Sequence, residues 1–180
     1  MFPDRFLVLL DSQGFESGTR IRQLKLERLI LRKLSYCVEV DFRSDRINRE
    51  LVELGMIGRI LSYEQVDERP IAYSTLRKDE YNSIISQTEQ YLNNERYWIA
   101  HTKLELIWAC ERGERKKGVQ AIIWLLASMV HFQMDEPDVA EKLYLKSRES
   151  LERSNSFDIF RQLQEKFEYP CFLDLSPLKL

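Results

Sequence analysis

The stretch Arg20-Ile-Arg-Gln-Leu-Lys-Leu-Glu-Arg-Leu-Ile-Leu-Arg-Lys-Leu34 decides how the amino-terminal part of the chain folds. Its apolar residues, Leu24, Leu26, Leu29, Ile30, Leu31 and Leu34, spread widely around a helical wheel, the pattern of a helix covered on more than one face. Ser17 or Thr19 supplies an N-cap, so the expectation is a helix running to about residue 35. Strand-like runs flank it. Phe6-Leu-Val-Leu-Leu10 is a continuous apolar run of the kind buried on both faces. Cys37-Val-Glu-Val-Asp-Phe42 alternates, with Val38, Val40 and Phe42 facing one way and Glu39 and Asp41 the other. Ser44 then caps a helix from Asp45 to Leu54, Gly55 and Gly58 end it, and Arg59 to Val66 gives a third strand. Strands that alternate with helices imply crossover connections and parallel pairing. The expected fold class is α+β, mostly α. A small β-α-β-α-β unit with a parallel sheet occupies residues 1–70, a four- to five-helix bundle 71–168, and an extended tail 169–180.

The boundary is a polar hinge, Asp67 to Thr75, with Pro70 and Ser74. Arg77 to Leu92 carries Tyr81, Ile84, Ile85, Thr88, Tyr91 and Leu92 on one side. Glu95 to Arg112 is a second helix, with Gly113 as its stop. Glu114 to Phe132 is the most apolar helix and hence the central one. A fourth helix starts at Pro137 and runs to about Arg153, with Ala140, Leu143, Ser147 and Leu151 on one face. A short fifth spans Phe157 to Phe167.

Composition narrows the function classes. Of 180 residues 44% are hydrophobic, enough for a packed core, and 27 basic residues face 29 acidic ones for a net charge of -2. That balance excludes a general polyanion coat. Three scattered cysteines fit a reducing cytoplasm better than a disulfide framework. The longest apolar run, Val119 to Phe132, falls short of the roughly 20 residues a membrane span needs, and Met1 to Leu10 lacks the marks of a signal peptide. A cytoplasmic protein is expected, with a protein partner or self-association, no membrane and nucleic acid disfavoured. The local exception is Arg20 to Lys33, where Arg22, Lys25, Arg28 and Arg32 are candidate anion contacts on what otherwise reads as a solvated helix face.

The most distinctive segment is Tyr97-Trp-Ile-Ala-His101-Thr-Lys-Leu-Glu105-Leu-Ile-Trp108. It resembles the signature of domain-of-unknown-function family 309, a small helical domain of bacteria and archaea, over about residues 78–153. That pattern runs A-H-E-x-x-E-x-x-W, then Q-G-L-I-Q on an apolar helix that ends near a second histidine. His101, Glu105 and Trp108 fall on the H, second E and W; Gln120 to Ile123 match the Q-G-L-I step, and His131 stands at the later histidine. Thr102 replaces the first acid, Ala121 the glycine and Trp124 the second glutamine. The resemblance implies a helical bundle and brings no established activity.

His101, Leu104, Glu105 and Trp108 recur at i, i+3, i+4, i+7 and share a helix face, as do Gln120, Trp124, Ala127 and His131 on the next. The short connector at Gly113 makes the two helices antiparallel, so His131 is expected nearer His101 and Gln120 nearer Trp108. The favoured reading of His101, Glu105, Trp108, Gln120 and His131 is a buried hydrogen-bonded network; two histidines and a carboxylate are also the ingredients of a facial metal site. In a parallel sheet Asp11, Glu39 and Asp41 border the ligand crevice and could hold Mg²⁺, with the Gly14 to Gly18 loop beside a phosphate. No Walker lysine, G-x-G-x-x-G or G-x-S-x-G occurs. No cofactor is predicted, a divalent metal being the one either set could take. The expected function is a non-enzymatic interaction or scaffold module. The alternative is a metal-dependent hydrolase or nuclease using Asp11/Glu39/Asp41 or His101/Glu105/His131.

Overall fold

The helix expected over residues 20–35 ends after Gln23, and the chain continues as a strand. The structure, a computed structural model, describes residues 3–11, 17–66 and 75–153. Residues 14–16 of the Gly14 to Gly18 loop, nearly all of the hinge, the fifth helix and the tail lie outside these. The chain divides into two compact units, Met1–Ile71 with Val130–Glu136, and Ala72–Met129 with Pro137–Leu180.

The first unit runs β1 (Asp4–Asp11), α1 (Ser17–Gln23), β2 (Glu27–Lys33), β3 (Cys37–Ser44), α2 (Ile47–Gly55) and β4 (Ile60–Val66). The strands lie in the order β2-β3-β1-β4, and every neighbouring pair is antiparallel. This is the β-α-β-β-α-β arrangement of ferredoxin-like folds, and it overturns the expected parallel sheet. Two local features explain the difference. Lys25 and Arg28 both adopt left-handed backbone, with φ of 53° and 52°. They end α1 and admit β2 without the glycine or proline that usually announces such a break. Ser35-Tyr36 then forms a two-residue turn, closed by the Leu34 N–H donating to the Cys37 carbonyl at 2.9 Å. A hairpin this tight can join only antiparallel strands. Consecutive helix-linked strands, β1 with β2 and β3 with β4, remain parallel, but each pair has another strand between its members.

Alternation along β3 sorts its side chains between the two faces of the sheet. Val38, Val40 and Phe42 join Phe6, Val8 and Leu10 of β1 to form one core, on which Ile21 of α1 and Leu54 of α2 pack. The Phe6 and Phe42 rings lie 6.3 Å apart, tilted by 36°. The opposite face carries charge. Arg32 stands across from Glu39, Ile30 and Leu7 stand across from Asp41, and Arg5 stands across from Arg43. Arg32 (2% exposed), Glu39 (1%) and Asp41 (2%) are buried. Arg32 donates to Glu39 and to Asp41, each at 2.8 Å. Arg5 donates to both Asp41 oxygens, at 2.8 and 2.6 Å. The like-charged Arg5 and Arg43 diverge, since Arg43 donates to the Pro3 carbonyl at 3.0 Å.

The remaining helices are α3 (Lys78–Asn93), α4 (Tyr97–Cys110), α5 (Gly113–Gln133) and α6 (Pro137–Arg153). α3 buries Ile84, Thr88 and Leu92, and α4 buries Tyr97, Ala100, Leu104 and Ile107. α5 is buried on most sides through Val119, Ala121, Ile122, Ile123, Leu125, Leu126 and Ser128. Buried Ser147 of α6 donates to the Ala121 carbonyl of α5 at 2.7 Å, so its hydroxyl is satisfied on an otherwise apolar face. Each helix junction turns on one left-handed residue, namely Glu95 (φ 56°), Gly113 (φ 58°) and Asp135 (φ 66°). After α3 and α5 the two reversed hydrogen bonds of a Schellman cap are formed: Arg96 to Tyr91 and Glu95 to Leu92, then Glu136 to His131 and Asp135 to Phe132.

Because Asp41 is buried between two guanidinium groups, Asp41→Ala leaves uncompensated charge inside. It is expected to lower stability by about 3–5 kcal/mol. Arg59→Ala breaks the Asp11–Arg59 pair, in which the arginine side chain is 76% exposed, and should cost no more than about 1 kcal/mol. Urea unfolding of both variants reads the difference.

Candidate functional site

The motif residues lie on two half-exposed helical stripes. Along α4, His101, Glu105 and Trp108 recur at helical spacing; along α5, Lys116, Gln120, Trp124, Ala127 and His131 do, all five half-buried. The ends of the two helices are tied by Arg115 donating to Glu111 at 2.8 Å. Lys116 also sets its ammonium 3.9 Å from the centre of the Trp108 ring. The end of α4 therefore meets the start of α5, the antiparallel sense that puts Gln120 on the Trp108 side. Further along, Lys146 of α6 lies 4.0 Å from the centre of the Trp124 ring. From Lys116 to Trp124 is eight residues, or about 12 Å at 1.5 Å per residue. The strip thus presents two indoles, each capped by an ammonium group, an arrangement worth about 0.5–1 kcal/mol per pair at the surface.

The histidines keep separate company. His101 Nε2 lies 3.9 Å from Glu105 Oε1; the His101 side chain is largely covered, while that of Glu105 is 51% exposed and carries the pair out to solvent. His131 Nδ1 lies 2.6 Å from Glu136 Oε2. The Schellman turn explains that second pair, because it folds the chain back so that Glu136 returns beside His131. His101 belongs to the second unit, and His131 with Glu136 to the first. Among the described residues no three His, Cys, Asp or Glu side chains converge as metal ligands would.

The strand carboxylates are likewise distributed. Antiparallel pairing sets Asp11 against Cys37, at the far end of β3 from Asp41. Asp41 lies across from Leu7, so about 13 Å of strand separates it from Asp11. Asp11 accepts from Arg59 at 2.9 Å, while Glu39 and Asp41 are taken up by Arg32 and Arg5. In a parallel sheet the carboxyl ends of successive strands lie together at one edge; here they alternate, and no crevice gathers them. The four candidate anion contacts also part company. Arg22 is exposed on α1, Lys25 is exposed in the break before β2, Arg28 is exposed near the start of β2, and Arg32 is inside. Lys25 borders a cleft of about 650 Å³ that Arg43, Arg46 and Arg49 line together with Asp4, Glu27, Asp45, Glu50 and Glu53; Arg46 pairs with Asp45 and Arg49 with Glu53.

Residues 85–143 match the family described as Domain of unknown function (DUF309). The match begins in α3, ends in α6 and contains His101, Glu105, Trp108, Gln120, Trp124 and His131. It leaves out the whole of the first unit up to Val66. No curated protein and no solved structure matches the chain. Sequence reasoning missed Lys116 and Lys146, which cap the indoles of the DUF309 segment. No local spacing links Trp108 to Lys116 or Trp124 to Lys146, because both pairs form across helices. Arg5, the second partner of Asp41, was missed for the same reason.

Burial of His101 disfavours its charged form and holds its pKa below the ordinary imidazole value, although the neighbouring Glu105 carboxylate pulls the other way. A lowered folded-state value means that the unfolded chain takes up protons first. The stability this contributes is present above about pH 6.5 and is lost as pH falls from there through the folded value. NMR titration of the His101 ring should show a midpoint below that of a model imidazole. Glu105→Gln, which removes the opposing charge, should move it lower still; an upward movement would contradict this balance of burial against charge.

Proposed function

We propose that the chain is a non-enzymatic interaction or scaffold module of the reducing cytoplasm, in which the DUF309 segment offers the contact surface to a protein partner. One observation carries this reading: the carboxylates singled out in the sequence, and Glu136 beside His131, are each engaged by a cation or histidine next to them. Asp11 meets Arg59, Glu39 meets Arg32, Asp41 meets Arg32 and Arg5, Glu105 lies beside His101, and Glu136 contacts His131. A general base or metal ligand needs lone pairs directed at a shared point in a cavity, and these five are spread over separate elements. The strip of Trp108, Lys116, Trp124 and Lys146 has the composition of a protein contact surface, with aromatic rings that bury large areas and cations at their margins. Neither Cys37 nor Cys110 is in a disulfide, in keeping with a reducing compartment. No helix among the described residues is long and apolar enough to cross a membrane.

Equilibrium dialysis against Mg²⁺, Mn²⁺ and Zn²⁺ tests the reading directly. No stoichiometric uptake is expected; uptake abolished by Asp41→Ala or Glu105→Ala would replace it with metal-dependent hydrolysis. Trp124 is half-buried, outside the fully buried set of α5, so Trp124→Ala trims the margin of the helix. It should leave the melting temperature within a few degrees while removing any partner that cross-links to wild-type protein through α5.

A further inference from the structure

The two edges of the sheet are built differently. β2 carries charge on four of its seven residues, Glu27, Arg28, Arg32 and Lys33. It turns Arg32 inward and breaks register between Glu27 and Ile30. Inward charges, surface charges and irregular pairing are the devices that keep an edge from recruiting another strand. β4 (Ile-Leu-Ser-Tyr-Glu-Gln-Val) has one charged residue, Glu64, and neither lysine nor proline. Its outer edge has no strand partner among the described residues. Tyr63 is 56% exposed and Leu61 41%. The single register break against β1 falls between Leu9 and Leu10, beyond Ser62, so Ser62–Val66 is regular.

We propose that β4 pairs antiparallel with β4 of a second copy about a two-fold axis at Tyr63, joining two four-stranded sheets into one of eight. A two-fold contact must be self-complementary, and this register is. It sets Tyr63 opposite its mate as a cross-strand aromatic pair, and places Glu64 opposite Ser62 twice by symmetry, each hydroxyl able to donate to a carboxylate. Centring the axis on Glu64 would oppose two carboxylates, and centring it on Ser62 would run the pairing through the register break at Leu61. The inference deepens the reading of the chain as an interaction module by naming one partner. It uses no residue of α4 or α5, so its failure leaves the DUF309 surface untouched.

Sedimentation of the full-length protein over a range of concentrations provides the test. A dimer is expected for wild type. Tyr63→Lys, which opposes two ammonium groups at the axis, should weaken it roughly 100-fold or more with an unchanged circular dichroism spectrum. Cα atoms directly opposite in an antiparallel pair lie within disulfide reach. Tyr63→Cys, with Cys110 and Cys171 replaced by serine, should therefore give a covalent dimer under mild oxidation, whereas Asn48→Cys on exposed α2 should not. A wild type that stays monomeric, a dimer indifferent to Tyr63→Lys, or Tyr63→Cys that fails to cross-link would each overturn the proposal. So would capture of Tyr63→Cys by a different extended polypeptide, which would make β4 an acceptor for another protein's strand.

Discussion

Asp41 is the point at which three strands are held in register. Its carboxylate takes Arg5 from β1 on one side and Arg32 from β2 on the other, while Arg32 also holds Glu39 one pleat away. Removing such ions from water costs several kcal/mol each, and mutual attraction repays this only where the geometry is satisfied on all sides. Two arginines and two acids, at 2.6–2.8 Å, supply that attraction with no net charge. The constraint also acts through the alternatives it excludes. Slipping β3 by one residue would turn Glu39 and Asp41 onto the side of Phe6, Val8 and Leu10, among apolar neighbours with no cation to meet them. The two helices can pack on the other face because the charges are confined to this one.

Much of this unit was legible in the sequence. The alternation of Cys37–Phe42, the apolar run Phe6–Leu10 and the α2 pattern each arise from side-chain periodicity, and periodicity survives in a single chain. The misreading came from Leu24–Leu34, where Leu29 and Leu31 serve one face and Ile30 and Arg32 the other. A strand used on both faces has no clean two-residue alternation, so it presents the broad distribution of a buried helix. The breaks that would have corrected this sit at Lys25 and Arg28, which take left-handed backbone that composition does not signal. Without the hairpin, parallel pairing is the natural inference, and with it the idea that Asp11, Glu39 and Asp41 share an edge.

The family match over residues 85–143 was legible because its information is carried by identity as well as by period. His101, Glu105, Trp108, Gln120 and His131 occupy the stripes their spacing required. What spacing could not tell was the depth of those stripes: a helix between neighbours has flanks as well as an inside, and these residues lie on the flanks. The ammonium groups that lie over Trp108 and Trp124 come from other helices, beyond the reach of any local pattern.

The central position of β1 in the sheet has a temporal side. β1 is the first of these four strands to leave the ribosome, yet Val8 pairs with Val40 and Tyr63, 32 and 55 positions later. The β2–β3 hairpin and α2 can form from neighbours in sequence, but β1 must wait for both flanking strands before its apolar run is covered. Because the strand neighbour of β4 is β1, the first-made strand stays uncovered along that edge until the last of the four is made. Until then Phe6-Leu-Val-Leu-Leu10 is the segment of the nascent chain most open to mispairing, and the one a chaperone would have reason to hold.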